Sequence, residues 1–70
     1  MAQEMYIKEY NGNILGIIRT ESNGDQTAID YRTQKIVGYY RALFDTTTDP
    51  SGRVIARGNC VTALIYGNRT

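Results

Sequence analysis

The stretch that decides the fold is Asp30-Tyr31-Arg32-Thr33-Gln34-Lys35-Ile36-Val37-Gly38-Tyr39-Tyr40-Arg41. It contains an acidic residue, a short polar turn, two branched apolar residues, a glycine and two aromatic residues. The same order recurs upstream from Glu9 to Ile18 and downstream from Asp49 to Ala56. Turn-forming residues between runs of branched and aromatic residues are typical of a β-hairpin. The sequence therefore predicts one hairpin repeated three times.

The three copies differ by one residue in the turn. In the outer copies the acidic residue precedes the small residue by seven positions, whereas Asp30 precedes Gly38 by eight. The middle copy also has Thr33 in its turn and no turn glycine. The small residues at matching positions, Gly16, Gly38 and Ala56, indicate a sharp bend or the close approach of another backbone or ring.

The turns divide the chain into six predicted strands. These are residues 5–10, 14–20, 26–31, 35 to 42 or 43, 44–48 and 53–57. Asn11-Gly12 predicts a type I′ turn, because both central residues of that turn have positive φ. Asp49-Pro50-Ser51-Gly52 predicts a type I turn followed by a glycine in a left-handed bulge.

The segment from Cys60 to Tyr66 changes period. Val61, Leu64 and Ile65 fall on one face of a helix, and Asn59 is suited to its N-cap. Gly67 stands where a C-terminal cap is expected. Apolar residues also alternate here, so a seventh strand is the other interpretation. The predicted fold is mainly β, an antiparallel meander with a short C-terminal helix.

The second and fourth predicted strands are apolar on both faces. Ile14 and Ile18 are expected on one face of strand two, with Leu15 and Ile17 on the other, and strand four repeats this with Ile36 and Tyr40 opposing Val37 and Tyr39. An open sheet with one face in water usually alternates apolar and polar residues. The second face is therefore expected to be covered by the helix, by a partner chain or by closure into a barrel. Barrel and two-layer sandwich both remain open.

The size of the chain supports a partner. Its 70 residues make a single domain, 1–70, and a domain of this size buries only about 60% of the surface that its unfolded chain exposes. One cysteine and no histidine provide neither an internal disulfide nor a structural zinc site. We therefore expect a homo-oligomer, most simply a homodimer, with exchange of a strand or of the C-terminal segment as a further form.

The repeated unit, followed by Arg57-Gly58-Asn59 and an apolar tail, resembles small uncharacterised bacterial β-hairpin-repeat proteins. It is similar in style to the four-fold beta flower group. The likeness runs from Tyr6 to Tyr66 and departs from a regular pattern at Thr33 and Ala56. The resemblance implies a hairpin-repeat architecture only, and it implies no functional residue.

Catalytic chemistry has few candidates. Without histidine there is no Ser–His or Cys–His pair. Cys60 is more typical of a small buried apolar residue than of a nucleophile. The acidic residues at the turns are expected to accept hydrogen bonds from their own turns. We expect no enzyme activity, no catalytic residue, no metal site and no cofactor.

The binding candidates are Tyr39, Tyr40, Arg41, Arg32 and Lys35, because sheets that bind single-stranded nucleic acid combine stacking rings with cations. A net charge of +1 favours a plainer structural role for these tyrosines. No apolar run is long enough to span a bilayer and no secretory signal is present, so we expect a cytoplasmic protein. The main functional hypothesis is a non-enzymatic domain that acts through protein contacts or self-association. Single-stranded nucleic-acid binding is the alternative.

Overall fold

The computed structural model describes residues 3–67, which form six strands and one helix. The elements are β1 (Gln3–Lys8), β2 (Ile14–Thr20), β3 (Gln26–Asp30), β4 (Ile36–Arg41), β5 (Thr46–Thr48), β6 (Val54–Arg57) and α1 (Val61–Gly67). The strands pair in chain order, each antiparallel to the next. The mainly β meander with a C-terminal helix is confirmed. Within residues 3–67 the sheet is open, with β1 and β6 at its edges.

Of the two turns whose type was predicted, the β1–β2 turn differs from the prediction and the β5–β6 turn has the predicted bulge. In the β1–β2 turn, the Glu9 N–H donates to the Asn13 carbonyl (2.8 Å), and the Gly12 N–H donates back to the Glu9 carbonyl (2.9 Å). Gly12 has a φ of 94°, but Asn11 does not have positive φ. The predicted type I′ turn is therefore wrong, because Gly12 serves as the bulge residue of a three-residue loop. Gly52, with a φ of 99°, confirms the bulge predicted in the β5–β6 turn.

The β3–β4 turn contains the extra residue that the spacing indicated. The Asp30 N–H donates to the Lys35 carbonyl (2.8 Å), one residue further along than in the β1–β2 turn. Gln34 occupies the left-handed position with a φ of 60°. Its side-chain amide donates to the Tyr31 carbonyl (2.5 Å). A hydrogen-bonding side chain thus replaces the glycine that the other repeats use.

The predicted fifth strand begins too early. Phe44 lies in the β4–β5 turn, and β5 starts at Thr46. The cause is Asp45, which adopts a φ of 51° and donates its N–H to the Ala42 carbonyl (3.3 Å). A left-handed residue cannot continue an extended strand.

Each repeat has a β-bulge at the same place in its return strand. The register skips Leu15, Val37 and Ile55, and each of these directly precedes the small residue of its repeat. At a bulge two residues oppose one residue of the partner strand, so the side-chain alternation shifts.

The bulges correct the predicted faces of β2 and β4. Ile36 lies opposite Ile29, and Ile14 lies opposite Lys8. These two isoleucines therefore do not share a face with Ile18 and Tyr40, as simple alternation predicted. Leu15 and Val37, by contrast, pack against the core on the helix side.

The core lies between the sheet and α1. Val61 and Ile65 of the helix are buried with Ile18 and Ala28 of the sheet. The small residues of the repeats make room for this contact: a Cβ on Gly16 would lie 2.7 Å from Ile65 Cγ2, and one on Gly38 would collide with Leu64. The expected close approach is therefore made by helix side chains.

Two polar residues fix the start of the helix. The Asn59 side-chain carbonyl accepts from the Val61 N–H (3.3 Å), which confirms the predicted N-cap. Thr47 is fully buried in β5, and its hydroxyl donates to the Gly58 carbonyl (2.6 Å) and accepts from the Cys60 N–H (2.9 Å). The predicted C-terminal cap, Gly67, is the last residue of α1.

Candidate interaction face

The side of the sheet opposite α1 is here called the open face. Residues directly opposite each other on neighbouring antiparallel strands share a face. The strand registers therefore align four side chains in one line across β1 to β4, namely Tyr6, Ile17, Ile29 and Ile36. This line is called the apolar row. It exists only because the bulge at Val37 turns Ile36 towards the open face.

A second line on the open face crosses all six strands and is mixed in character. It consists of Glu4, Arg19, Thr27, Tyr39, Thr48 and Val54. A third, shorter line joins Arg41, Thr46 and Arg57. The open face thus has an apolar row with two lines of mostly polar and charged side chains on one side of it.

The two faces differ in how much of their apolar surface water reaches. On the helix side, Ile18 is 1% exposed and Ala28 is 0% exposed. On the open face, Tyr6 is 51% exposed and Ile36 is 41% exposed. Ile17 and Ile29 between them are partly buried. Contiguous apolar residues that stay accessible on a folded chain are typical of a contact surface.

The predicted binding residues lie in three different places, and only Tyr39 and Arg41 among them are in contact. Arg41 places its guanidinium carbon 5.1 Å from the centre of the Tyr39 ring, within the range of a cation–π contact. Arg41 also lies 3.7 Å from the Asp25 carboxylate. This Tyr39–Arg41 pair lies on the open face.

Tyr40 lies on the other face of the sheet, packed against the core. Its hydroxyl donates to the Asp45 carboxylate (2.7 Å). This hydrogen bond, with some desolvation and the negative charges of Asp45 and Asp25, raises the pKa of Tyr40 above 10.0. Tyr40 therefore cannot stack on a ligand beside Tyr39.

Arg32 and Lys35 are exposed in the β3–β4 turn. Arg41 is six positions after Lys35, a separation of roughly 20 Å in an extended strand. The structure therefore does not bring these two cations to the Tyr39–Arg41 pair.

The acidic residues at the turns are occupied locally, as the sequence predicted. Asp49 Oδ1 accepts from the Ser51 hydroxyl (2.6 Å), the Ser51 N–H (3.0 Å) and the Arg53 N–H (2.9 Å). These hydrogen bonds lower the pKa of Asp49, the Ser51 hydroxyl most and the Arg53 N–H next. Asp30 Oδ1 likewise accepts from the Arg32 N–H (2.9 Å). Between residues 3 and 67, no group of three His, Cys, Asp or Glu side chains is placed to hold a metal ion.

Sequence reasoning missed the apolar row as a unit. The apolar character of both faces was visible in the sequence, but the row needs the strand registers and the bulge at Val37. It also missed Leu43, which the β4–β5 turn leaves 86% exposed. Leu43 lies in the turn between Arg41, where β4 ends, and Asp45, whose left-handed conformation precedes β5.

Comparison with known proteins gives no relative from which function can be transferred. No protein-family model matches the chain, and no curated protein or solved structure matches it significantly. In the part of the chain that the structure describes, no helix is long and apolar enough to cross a membrane.

Proposed function

We propose that this chain is a non-enzymatic protein-interaction domain that works through its open face, with self-association as its first contact. The observation that carries the proposal is the apolar row, Tyr6, Ile17, Ile29 and Ile36, which crosses four neighbouring strands and stays accessible to water. Its side chains are large and apolar, so burying them against a partner is favourable.

The size of the row makes a partner energetically useful. Fully burying one large apolar side chain contributes about 1.5–3 kcal/mol. Domains as small as this are only marginally stable, with unfolding free energies towards the low end of about 5–15 kcal/mol. A partner that covered half of the remaining exposed surface of the row would therefore change the stability of the chain appreciably.

The chemistry of the polar residues supports a non-enzymatic role. The sequence has no histidine to act as a proton shuttle near neutral pH. The Asp49 carboxylate accepts three hydrogen bonds from its own turn, and its pKa is lowered, so it is poorly suited to act as a general base.

The test is a matched pair of variants. Ile29→Thr removes apolar surface from the middle of the row while keeping a branched strand residue, and Leu43→Ser removes exposed apolar surface from a turn outside the open face. Sedimentation velocity across the micromolar range should show an oligomer for the natural chain and for Leu43→Ser, and a shift towards monomer for Ile29→Thr. Circular dichroism checks that both variants fold.

Footprinting supplies the second measurement. With rising concentration, covalent labelling of Tyr6 and Ile36 should fall, while labelling of Leu43 should not change. A chain that stays monomeric, with the labelling of the open face independent of concentration, would contradict self-association through this face.

Single-stranded nucleic-acid binding is the second candidate, and the Tyr39–Arg41 contact supports it. One stacking ring beside one cation is a minimal platform. The hypothesis predicts an affinity for mixed oligonucleotides that falls with salt and that Tyr39→Ala weakens more than Tyr10→Ala, an exposed tyrosine in the β1–β2 turn. Fluorescence anisotropy at low salt decides it, and an absence of binding there removes the candidate.

A further inference from the structure

The two edges of the sheet differ in how well they are protected against pairing. β6 has four residues, contains the bulge at Ile55, follows Arg53 and ends in Arg57. Short length, bulges and basic residues are the means by which proteins block edge-to-edge pairing. β1 has six residues, QEMYIK, without glycine, proline or an inserted residue of its own. The β1 edge therefore lacks most of the protection that the β6 edge has.

Hydrogen bonding in the β1–β2 turn decides which groups of β1 face outward. Glu9 directs both its N–H and its carbonyl towards the β2 side, to Asn13 and Gly12. In an antiparallel pair, successive residues direct their backbone groups alternately towards the partner strand and away from it. Counting back from Glu9 in steps of two, the backbone N–H and carbonyl groups of Ile7 and Met5 therefore point towards β2. The residues whose backbone groups face away from β2 are Lys8, Tyr6 and Glu4.

These three residues define a register for a second copy of the strand. Antiparallel pairing that uses all three outward residues of both chains places Tyr6 opposite its own copy. Glu4 then lies opposite Lys8 of the other chain, and Lys8 opposite Glu4. Each of the three pairs exchanges two backbone hydrogen bonds. Opposite charges directly across antiparallel strands are favourable, so this register is complementary in charge as well as in backbone.

The residues between these three, Met5 and Ile7, also have suitable partners in this register. On the helix side of the sheet, Met5 would lie opposite Ile7 of the other chain, so apolar side chains meet there. On the open face, Tyr6 ends the apolar row of each chain, so the two rows would join into one row across eight strands. A shift by two residues would lose a pair and place Tyr6 opposite Lys8.

We propose that β1 of one chain pairs antiparallel with β1 of a second copy, with a twofold axis at Tyr6. The two sheets then form one continuous sheet. This inference rests on the proposed function, since it names the partner and one contact of the self-association. The pairing leaves the open faces of both chains on the same side of the joined sheet. The dimer thus presents an interaction surface twice as wide as that of one chain.

Charge reversal tests the register. Lys8→Glu places like charges opposite each other at both ends of the pairing and should raise the dimer dissociation constant roughly tenfold. The double variant Glu4→Lys/Lys8→Glu restores opposite charges across the interface and should recover most of the affinity. Lys35→Glu, the same change in an exposed turn, should leave it unchanged. Because Glu4 lies opposite Arg19 within the chain, each variant is first checked for folding by circular dichroism.

Disulfide trapping tests the axis. In a Cys60→Ser background, Tyr6→Cys would place two cysteines about 5.5 Å apart between Cα atoms, within the range of a disulfide. Lys8→Cys would place them roughly 14 Å apart along the strands and should not cross-link. Equal cross-linking of both variants, or of neither, would overturn the register.

The two proposals can fail separately. Loss of the oligomer in Lys8→Glu with rescue by the double variant, and retention in Ile29→Thr, would support the β1 pairing and count against self-association through the open face. Loss in Ile29→Thr with an oligomer unaffected by Lys8→Glu would support the open face and overturn the β1 pairing.

Discussion

The helix side of the sheet and the open face are built from the same three repeats, yet they have opposite character. On the helix side the repeats present Gly16 and Gly38 beside the buried Ala28, and the space above them is filled by Leu64 and Ile65. On the open face the same repeats present isoleucines and tyrosines, of which Ile36 stays 41% exposed and Tyr6 51% exposed. One face is a socket for a short helix, and the other is a surface of large side chains.

The bulges produce this difference. In the first two repeats the bulge places one extra apolar residue, Leu15 or Val37, on the helix side and the isoleucine before it on the open face. A helix of seven residues contributes few side chains to a core, so it must come close to the sheet to be held. Small residues permit that approach. The bulge at Val37 therefore does two things at once: it adds Val37 to the core side and brings Ile36 into the apolar row.

The largest expected effect on stability comes from adding a side chain at Gly38, where the sheet meets α1. Gly38→Val should lower the unfolding free energy by about 3 kcal/mol, because the new side chain would collide with Leu64 and crowd the Thr48 carbonyl, which a Cβ would approach to 2.6 Å. Urea unfolding followed by circular dichroism measures the change. Thr27→Val, a branched side chain on the open face, is the control and should alter stability little.

An equal loss in both variants would contradict the distinction between the faces. It would mean that a branched apolar residue is destabilising anywhere in this sheet. A stable Gly38→Val with an unchanged helix would show that α1 can shift, and that the small residues do not determine its position.

Much of the fold could be predicted from the sequence because its signals are local. The left-handed position of Gly12 and the N-cap of Asn59 each depend on residues within one turn. The face of Ile36 could not be predicted, since the bulge at Val37 depends on how β4 aligns with β3. The five predicted binding residues also do not form one site. The alternation of β4 places Tyr39 and Tyr40 on opposite faces, and the length of the strand separates Lys35 from Arg41.

The next largest effect on stability is expected from two neighbouring threonines of β5 that lie on opposite faces of the sheet. Thr47→Val should cost about 2 kcal/mol, because it leaves the Gly58 carbonyl and the Cys60 N–H without the threonine hydroxyl. Thr48→Val should be neutral or stabilising, because the buried Thr48 hydroxyl has no hydrogen-bond partner among the described residues. Thermal unfolding of both variants provides the measurement. Equal losses would show that burial rather than hydrogen bonding determines the effect.

A smaller effect is expected where the helix begins. Asn59→Ala should lower the unfolding free energy by about 1 kcal/mol, since it removes the cap on the Val61 N–H. The Asn59 amide also donates to Gln26 (2.8 Å), so Asn59→Asp is the matched variant: it keeps a capping oxygen and loses that donor. If capping matters most, Asn59→Asp should stay close to the natural chain in urea unfolding. If both variants lose stability equally, the contact with Gln26 is the more important one.

The smallest expected effect is a pH dependence of stability, which differs between the neighbours Tyr40 and Tyr39 on the two faces of the sheet. The Tyr40 hydroxyl donates to Asp45, which raises its pKa above 10.0, so the neutral phenol is favoured in the folded chain. This contribution to stability is fully present below pH 10 and is lost as pH rises through the higher folded-state pKa. The stability difference between the natural chain and Tyr40→Phe should therefore shrink in alkali, as measured by urea unfolding at several pH values. Tyr39→Phe, which changes the phenol on the open face, is the control, and the same pH dependence there would show that the Asp45 hydrogen bond is not its cause.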